Sequence, residues 1–546
     1  MKSNNTRNFG FVVWTFLITV SSILHPCSVV VAQVPAPIVV ANGENLTGSW
    51  GGDENNVAEF KGIPFAAPPV GDLRWRAPKP NIPRTGQLTA LDFAPACMQS
   101  NRLVEWYAGV AQTFGHGPEV VGRPKGLSED CLYLNVWTPK PGDESNLPVM
   151  VFVHGGSNSS GWSYEPNYVG SSLAARGVVV VTVAYRVGPF GFFSHPALDN
   201  DQGEPIANFG LLDIQAAFQW VRAHISKFGG DPENITGFGE SSGAYDLLDL
   251  LLVDISNGRS ESSLFRRLVS QSIGGPLLKR QTLAEEQEIG VLLAKQLGYG
   301  EEVSAENLRD VPAEDLVEAS SNLPADHYFD AVVDGKTVVR HPLESLRRAH
   351  VEGVDLIAGT NADEWYMYFS EDTTQADLEN WISENVPEQR EAILAAVADE
   401  PDYRHALDLL RTGRNMLCPS RYLAKRVNES GGRAWVYHFT RQRSGSGGER
   451  LRAYHGIELP YVFDRHDDWL PTGEVDRQLT EAVMDYWVQF ASTGNPNLPG
   501  RPQWPVHSRQ NPAVLELGDR IGVEEPRNES LCDLLWPGSE ETGEDS

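Results

Sequence analysis

A chain of 546 residues with 41% hydrophobic composition and 14 tryptophans can fill a large core, and only its acidic, Gly/Ser-rich end from Pro537 to Ser546 reads as unstructured. The formal net charge of −29 excludes nucleic acid and anionic membrane surfaces as natural partners, because both repel such a field. The charge would favour cationic substrates, but solubility is its plainest consequence.

In chain order, Lys2 and Arg7 precede an apolar run from Phe9 to Leu24, and Val30-Val31-Ala32 offers small residues for cleavage before Gln33. This is the pattern of a secretory signal peptide over 1–32, cleaved after Ala32, and it predicts a secreted or periplasmic mature chain of 33–546. The apolar run is short for a membrane span, and Pro26 stands before Cys27 where a lipid-modification site has a small residue. Loss of Lys2 and Arg7 leaves 42 basic against 73 acidic residues, a mature charge of −31. Cys97, Cys131, Cys418 and Cys532 then remain, which in an exported chain implies two disulfides in one of three pairings. Asn45, Asn158, Asn234, Asn428 and Asn528 begin glycosylation sequons.

Ile38 to Ala41 and Val57 to Ile63 read as short strands of an N-terminal hairpin region, and Pro64 to Pro83, with six prolines, as loop. Asp130 to Trp137 alternates like a strand. Val149 to Val153 and Val178 to Tyr185 are continuous apolar runs, as strands covered on both faces require. Leu211 to Phe228 has helical periodicity and stops at Gly229-Gly230. Leu268 to Ile273, Leu356 to Gly359, Ala434 to Phe439 and Val514 to Leu517 are further strands. Glu285 to Ala319, Gln375 to Asp399 and Gln478 to Ala491 read as helices. Strands alternating with helices predict a single α/β domain with a mostly parallel central sheet, helices on both faces and large loop insertions.

The chemistry centres on Phe238-Gly239-Glu240-Ser241-Ser242-Gly243-Ala244, which follows the β-branched pair Ile235-Thr236 and precedes the helix-prone stretch Tyr245 to Val253. Strand, Gly-x-Ser-x-Gly, helix is the order of a nucleophile elbow, in which a strained turn exposes the serine hydroxyl. The spacing of Gly237, Gly239 and Gly243 does not fit a dinucleotide-binding fingerprint. A serine needs a base, and the base a carboxylate, in the chain order serine, acid, histidine. His455, in Tyr454-His455-Gly456-Ile457-Glu458, is the leading base, with His438 and His466 as rivals. Glu364 is the leading acid, with Asp363 as its rival. Backbone donors for an oxyanion come from Ser242 and from the glycine loop His154-Gly155-Gly156-Ser157.

Taken together, Phe60-Lys-Gly-Ile-Pro-Phe65, Ser128-Glu-Asp-Cys-Leu-Tyr-Leu-Asn135, the His154 loop, Asn208-Phe-Gly-Leu-Leu-Asp213, Phe228-Gly-Gly-Asp-Pro232, the elbow and Tyr454-His-Gly-Ile-Glu458 resemble the type-B carboxylesterase family of α/β-hydrolases, from about Val57 to Pro537. The resemblance implies the α/β-hydrolase fold, a small-molecule ester substrate, no cofactor and no metal. It implies a triad of Ser241, Glu364 and His455, oxyanion donors at Gly156, Ser157 and Ser242, and disulfides Cys97–Cys131, over the gorge, and Cys418–Cys532. Acid should silence such an enzyme below about pH 6.5, as the imidazole protonates. Three departures stand out. Ser157 replaces a third glycine, a change compatible with a backbone donor at negative φ but one that narrows the acyl pocket. Trp365 replaces the glycine that commonly follows the acid. Trp106 lies within the Cys97–Cys131 segment at an offset that does not match a choline-binding tryptophan. The alternatives of the same chemistry are a lipase and an acyl-enzyme lyase or transferase. A non-catalytic binding protein on the scaffold is a different class, disfavoured by an intact triad.

Overall fold

The computed structural model describes Gly10 and residues 34–536, except 53–55, 84–85, 143, 201–204, 257–262, 274–276, 278–279, 301, 325–326, 349–352, 509 and 525–528. The expected leader (Gly10 apart), the Asn528 sequon and the acidic tail lie outside these residues. Contacts divide the chain into units 1–35 and 36–546, and the second unit holds the sheets and helices.

Among the described residues eleven strands form its main sheet: β1 Ser49–Gly51, β2 Val57–Pro64, β3 Tyr133–Thr138, β4 Leu147–Val153, β5 Val179–Val183, β6 Gly230–Glu240, β7 Arg267–Gln271, β8 Asp355–Asn361, β9 Arg433–Phe439, β10 Val514–Leu517 and β11 Ile521–Glu524. Their spatial order is β11-β10-β9-β8-β7-β6-β4-β5-β3-β2-β1. Pairing is parallel from β10 through β5 and antiparallel at both edges.

The continuous apolar runs have the expected cause. In β4, Val149, Val151 and Val153 enter one core cluster, and Met150 and Phe152 enter the other, on the opposite face. The first face is covered by α2 (Phe209–His224), through Leu211, Ile214, Phe218 and Val221, and by α3 (Ser242–Ser256), through Leu247, Leu248 and Leu251. The second takes the long helix Glu474–Thr493, through Leu479, Val483, Trp487 and Phe490. Each such side chain contributes roughly 1.5–3 kcal/mol by burial. After α2 the chain makes one more turn, Ile225–Phe228, and is stopped by Gly229 at φ +87°, a left-handed conformation that suits glycine.

Three expected elements differ, one being the helix expected over 375–399, which is two, Gln375–Asn385 and Arg390–Ala396, parted at Pro387, whose ring cannot continue the first. Ile38–Ala41 pairs with Glu44–Thr47, not with Val57–Pro64, because Asn42 and Gly43, both at positive φ, reverse the chain at once. That hairpin belongs to a separate three-stranded sheet. The single helix expected over 285–319 is three, Leu283–Gln296, Ala305–Arg309 and Ala313–Ser320, broken by Gly298 at φ +87° and restarted by the Ser304 cap. Among the described residues no helix is long and apolar enough to cross a membrane. Cys97 is bonded to Cys131 and Cys418 to Cys532.

Candidate active site

Parallel strands end together, so their following loops meet at one edge. The register shows it: Glu240 stands beside Gln271, Gln271 beside Gly359, and Gly359 beside Tyr437. The loops after β4, β6, β7, β8 and β9 therefore bring the His154 loop, Ser241, Ser272, Glu364 and His455 to the same sheet end.

β6 stops at Glu240 and α3 starts at Ser242, so Ser241 alone makes the turn, at φ +55°. A left-handed non-glycine residue costs roughly 1 kcal/mol or more. The turn is held by the Ser241 N–H, donated to the Gln271 carbonyl at 2.9 Å, and by the Ala244 N–H, donated to the Ser241 carbonyl at 3.0 Å. A Cβ on Gly243 would lie 2.2 Å from the Val153 carbonyl oxygen, so only glycine lets α3 lie against the end of β4.

His455 Nδ1 lies 2.7 Å from Glu364 Oε2. The other carboxylate oxygen, Oε1, accepts from Ser272 Oγ at 2.6 Å, from the Asn361 N–H at 2.7 Å and from Thr360 Oγ1 at 2.8 Å. Burial disfavours the Glu364 anion, but His455 and these donors outweigh it and hold the carboxyl below its ordinary range. An anion on one ring nitrogen fixes the tautomer and leaves Nε2 to exchange a proton.

The rival groups are occupied elsewhere. Asp363 accepts from Arg452 Nε and, at 3.1 Å, from the Ala453 N–H, so it braces the segment leading to His455. His466 lies between Arg443 and Thr480, both 2.9 Å away, and burial pushes its pKa down to about 3. His438 lines a separate cavity with His405 and Arg441. Trp365 turns its indole under the Arg411 guanidinium, 3.9 Å from the ring centre.

A second carboxyl group faces the imidazole. Glu240 Oε1 lies 3.1 Å from His455 Nε2, off the line of a hydrogen bond, so the contact is ionic. Burial pushes Glu240 up to about 8. Burial also opposes the imidazolium, but Glu240 first and then Glu364 outweigh it and raise His455 to about 10. The acid limb expected near pH 6.5 belongs to an imidazole with no carboxylate beside it; the two here move it upward.

The His154 loop crosses in front of the elbow. A Cβ on Gly155 would meet Glu240 Oε2 at 2.7 Å and Ser241 Cβ at 3.0 Å. Ser157 has φ +57°, so the negative φ with which the glycine-to-serine change is compatible is not the one adopted, and Asn158 follows at φ +50°. The reversal is a tight turn in which the Ser159 and Ser160 N–H groups both reach the Gly156 carbonyl, at 3.1 and 3.2 Å. Among the described residues neither the Gly156 nor the Ser157 N–H has an acceptor. Asn158 is fully buried, and both its amide hydrogens are taken by carboxylates, so a glycan there would displace them.

Gly155, Gly156, Ser157, Glu240, Ser241 and His455 line one cavity with about 110 Å³ of water-accessible space. Its outer wall is aromatic: Trp106, Tyr107, Tyr168, Tyr368, Tyr454 and Trp469. Trp106 and Tyr107 come from α1, Arg102–Thr113, inside the Cys97–Cys131 segment. Trp106 Nε1 donates to the Tyr368 hydroxyl at 2.9 Å, joining that segment to the loop after Glu364.

Residues 35–535 match the model of the carboxylesterase family. The chain belongs to that family. It is 33% identical to a fumonisin B1 esterase of Sphingopyxis macrogoltabida, over 95% of this chain and 92% of that protein. It is 32% identical to a para-nitrobenzyl esterase of Bacillus subtilis, over 90% and 97%. A solved carboxylesterase of Geobacillus stearothermophilus superposes with a TM-score of 0.77 at 29% identity, covering 91% of this chain and 99% of its own. The sheet and its flanking helices are the α/β-hydrolase fold.

Within this carboxylesterase, several residues around the site are not marked by any sequence motif. Gln271, Ser272, Thr360 and Asn361 lie beneath it, together with Glu458, which the His455 motif does include. Asn361 Nδ2 donates to Glu458 Oε2 at 2.7 Å, Gln271 Nε2 to Glu458 Oε1 at 3.0 Å, and Trp487 Nε1 to Gln271 Oε1 at 3.2 Å. A weaker signal was present: polar residues closing apolar parallel strands point at the sheet end where ligands bind. Among the described residues no group of three or more His, Cys, Asp or Glu side chains is arranged to hold a metal ion.

Proposed function

We propose that this carboxylic ester hydrolase works through an acyl-enzyme on Ser241. The observation that carries the reading is the 2.7 Å contact of His455 Nδ1 with Glu364 Oε2 beside a cavity that strained Ser241 also lines. His455 Nε2 takes the Ser241 proton as Oγ attacks the ester carbonyl, and the Gly156, Ser157 and Ser242 amides receive the developing oxyanion. The imidazolium then protonates the leaving alcohol, and water repeats the sequence on the acyl-enzyme. The aromatic wall favours esters of an aromatic alcohol, a class in keeping with the para-nitrobenzyl esterase relative. Two disulfides and the leader-like 1–32 support export to an oxidising compartment. Residues 33–546 act as one catalytic domain.

Ser241→Ala is expected to lose about 10⁴-fold or more in turnover while staying folded. Wild-type turnover in that variant, or activity surviving an organophosphate, would overturn the reading. A p-nitrophenyl ester series from acetate to palmitate separates it from the lipase alternative, which requires the long chains to be the better substrates.

A further inference from the structure

The loop that carries two of the proposed oxyanion donors is bent into a shape its sequence resists, with Ser157 and Asn158 both left-handed. Asparagine tolerates that backbone better than most residues, but tolerance does not fix a position. The Asn158 side chain supplies the fixing. Nδ2 donates to Asp246 Oδ1 at 3.2 Å and to Asp330 Oδ1 at 3.1 Å. The Tyr185 hydroxyl reaches Asn158 Oδ1 at 3.1 Å and the His154 carbonyl at 2.8 Å, sharing its proton between them. The Asn158 N–H donates to Ser242 Oγ at 3.1 Å, and its carbonyl accepts from the Gly188 N–H at 2.5 Å. Every donor and acceptor group of this residue is engaged.

The partners are themselves held in place by other contacts. Ser242 and Asp246 are two points on α3, the helix that begins directly behind Ser241. Asp330 belongs to a segment tied down by Arg280, whose Nη1 donates to the Ala331 carbonyl at 2.9 Å and whose Nη2 donates to Asp249 Oδ2 at 2.7 Å. Asp246 is buried and Asp330 half-buried, and burial raises the pKa of both, so the two carboxyls share one amide without each needing a cation. Asn158 does not line the cavity, so it acts through its neighbours.

We infer that Asn158 is a positioning residue: it pins the left-handed 157–158 turn to the elbow helix and so sets where the Gly156 and Ser157 amides stand relative to Ser241. This rests on the acyl-enzyme reading. It is tested with Asn158→Gly, which keeps the left-handed backbone available and removes only the amide. With p-nitrophenyl acetate, kcat should fall about 30- to 100-fold, short of the loss of a whole oxyanion donor, while KM stays within about threefold. The affinity for an aryl trifluoromethyl ketone, which forms an oxyanion on Ser241, should fall in parallel. Affinity for the corresponding alcohol, which forms none, should not. A folded variant with kcat near wild type, or one losing ketone and alcohol affinity equally, would overturn the inference. If Asn158→Gly does not fold, Asp246→Leu should give the same pattern and Asp246→Asn, which keeps an oxygen acceptor, should recover most of the loss; an unaffected Asp246→Leu would overturn it. Ester turnover surviving Ser241→Ala would remove the acyl-enzyme reading and this inference with it. A Ser241-dependent enzyme indifferent to Asn158 would remove only the positioning role.

Discussion

Glu240 stands 3.1 Å from Nε2 of His455, while Glu364 holds Nδ1 of the same ring at 2.7 Å, so the imidazole lies between two carboxyl groups. Glu240 also precedes Ser241 in the chain, and a single backbone turn therefore links the proposed nucleophile to the protonation of its proposed base. The raised pKa of His455 means that the imidazolium persists as pH rises and the free base appears only above it. Below about 8 Glu240 takes up a proton of its own, which leaves Glu364 alone to hold the imidazolium. The acid limb of activity belongs to the pair rather than to one residue.

Glu240→Gln removes the largest upward influence on His455. The acid limb of kcat/KM should therefore move to lower pH, by about one unit or more. The check is a kcat/KM profile from pH 5 to 10 on p-nitrophenyl acetate for both proteins, with the variant's limb expected on the acid side of the wild type's.

Glu364→Gln keeps the size of the side chain but reverses the hydrogen-bond demand at Nδ1, stabilising the wrong tautomer. A loss of about 10⁴-fold in kcat is expected. Ser272→Ala removes one of three donors to Oε1, and a hydrogen bond to a charged group is worth about 1.5–3 kcal/mol. Its kcat should fall by only about tenfold or somewhat more, because Thr360 and the Asn361 N–H still hold the carboxylate. Steady-state kinetics alongside thermal melts distinguishes these losses from unfolding.

The Trp106–Tyr368 contact joins two walls of the cavity without touching the proposed triad. Tyr368→Phe breaks the hydrogen bond and keeps the ring. KM for aryl esters should rise about threefold with kcat unchanged, the signature of lost uniform binding, and small alkyl esters should respond less. Comparison of phenyl acetate with ethyl acetate reads this directly.

Glu165 offers a stability test outside the chemistry. It is fully buried, accepting from the Tyr107 hydroxyl at 2.6 Å and the Trp162 N–H at 3.1 Å. Burial, only partly offset by these bonds, pushes it up to about 7 from an ordinary 4.5. The folded state keeps a proton that the unfolded chain gives up above 4.5, so stability is lost as pH rises from there to about 7. Glu165→Gln carries no such proton. It should match wild type near pH 4.5 and exceed it at pH 8 by up to about 3 kcal/mol, the equivalent of that shift. Melting temperatures across that range should diverge upward for the variant.

The strands were legible because a strand covered on both faces must be apolar throughout, and runs such as Val149 to Val153 have no other soluble use. The strand–serine–helix turn was legible because its glycines are demanded by local sterics, and the arrival of the segments carrying Ser241, Glu364 and His455 at one sheet end follows from topology. Chain-local patterns carry such information without any knowledge of neighbours. The helix Arg102–Thr113, with its cavity-lining Trp106, carries no motif of that kind, and neither do the breaks near Gly298 and Ser304.

What tertiary structure alone decided is which groups face one another across strands. Nothing near Glu240 in the chain says that the imidazole of residue 455 will come within 3.1 Å of it. Asn158 reads as a sequon until Asp246 and Asp330 close around it. The periodicity of a sequence reports how much of a side chain is buried and on which face. It does not report the opposing charge or hydrogen-bond partner, and those set the pKa of each buried group and the stiffness of each loop.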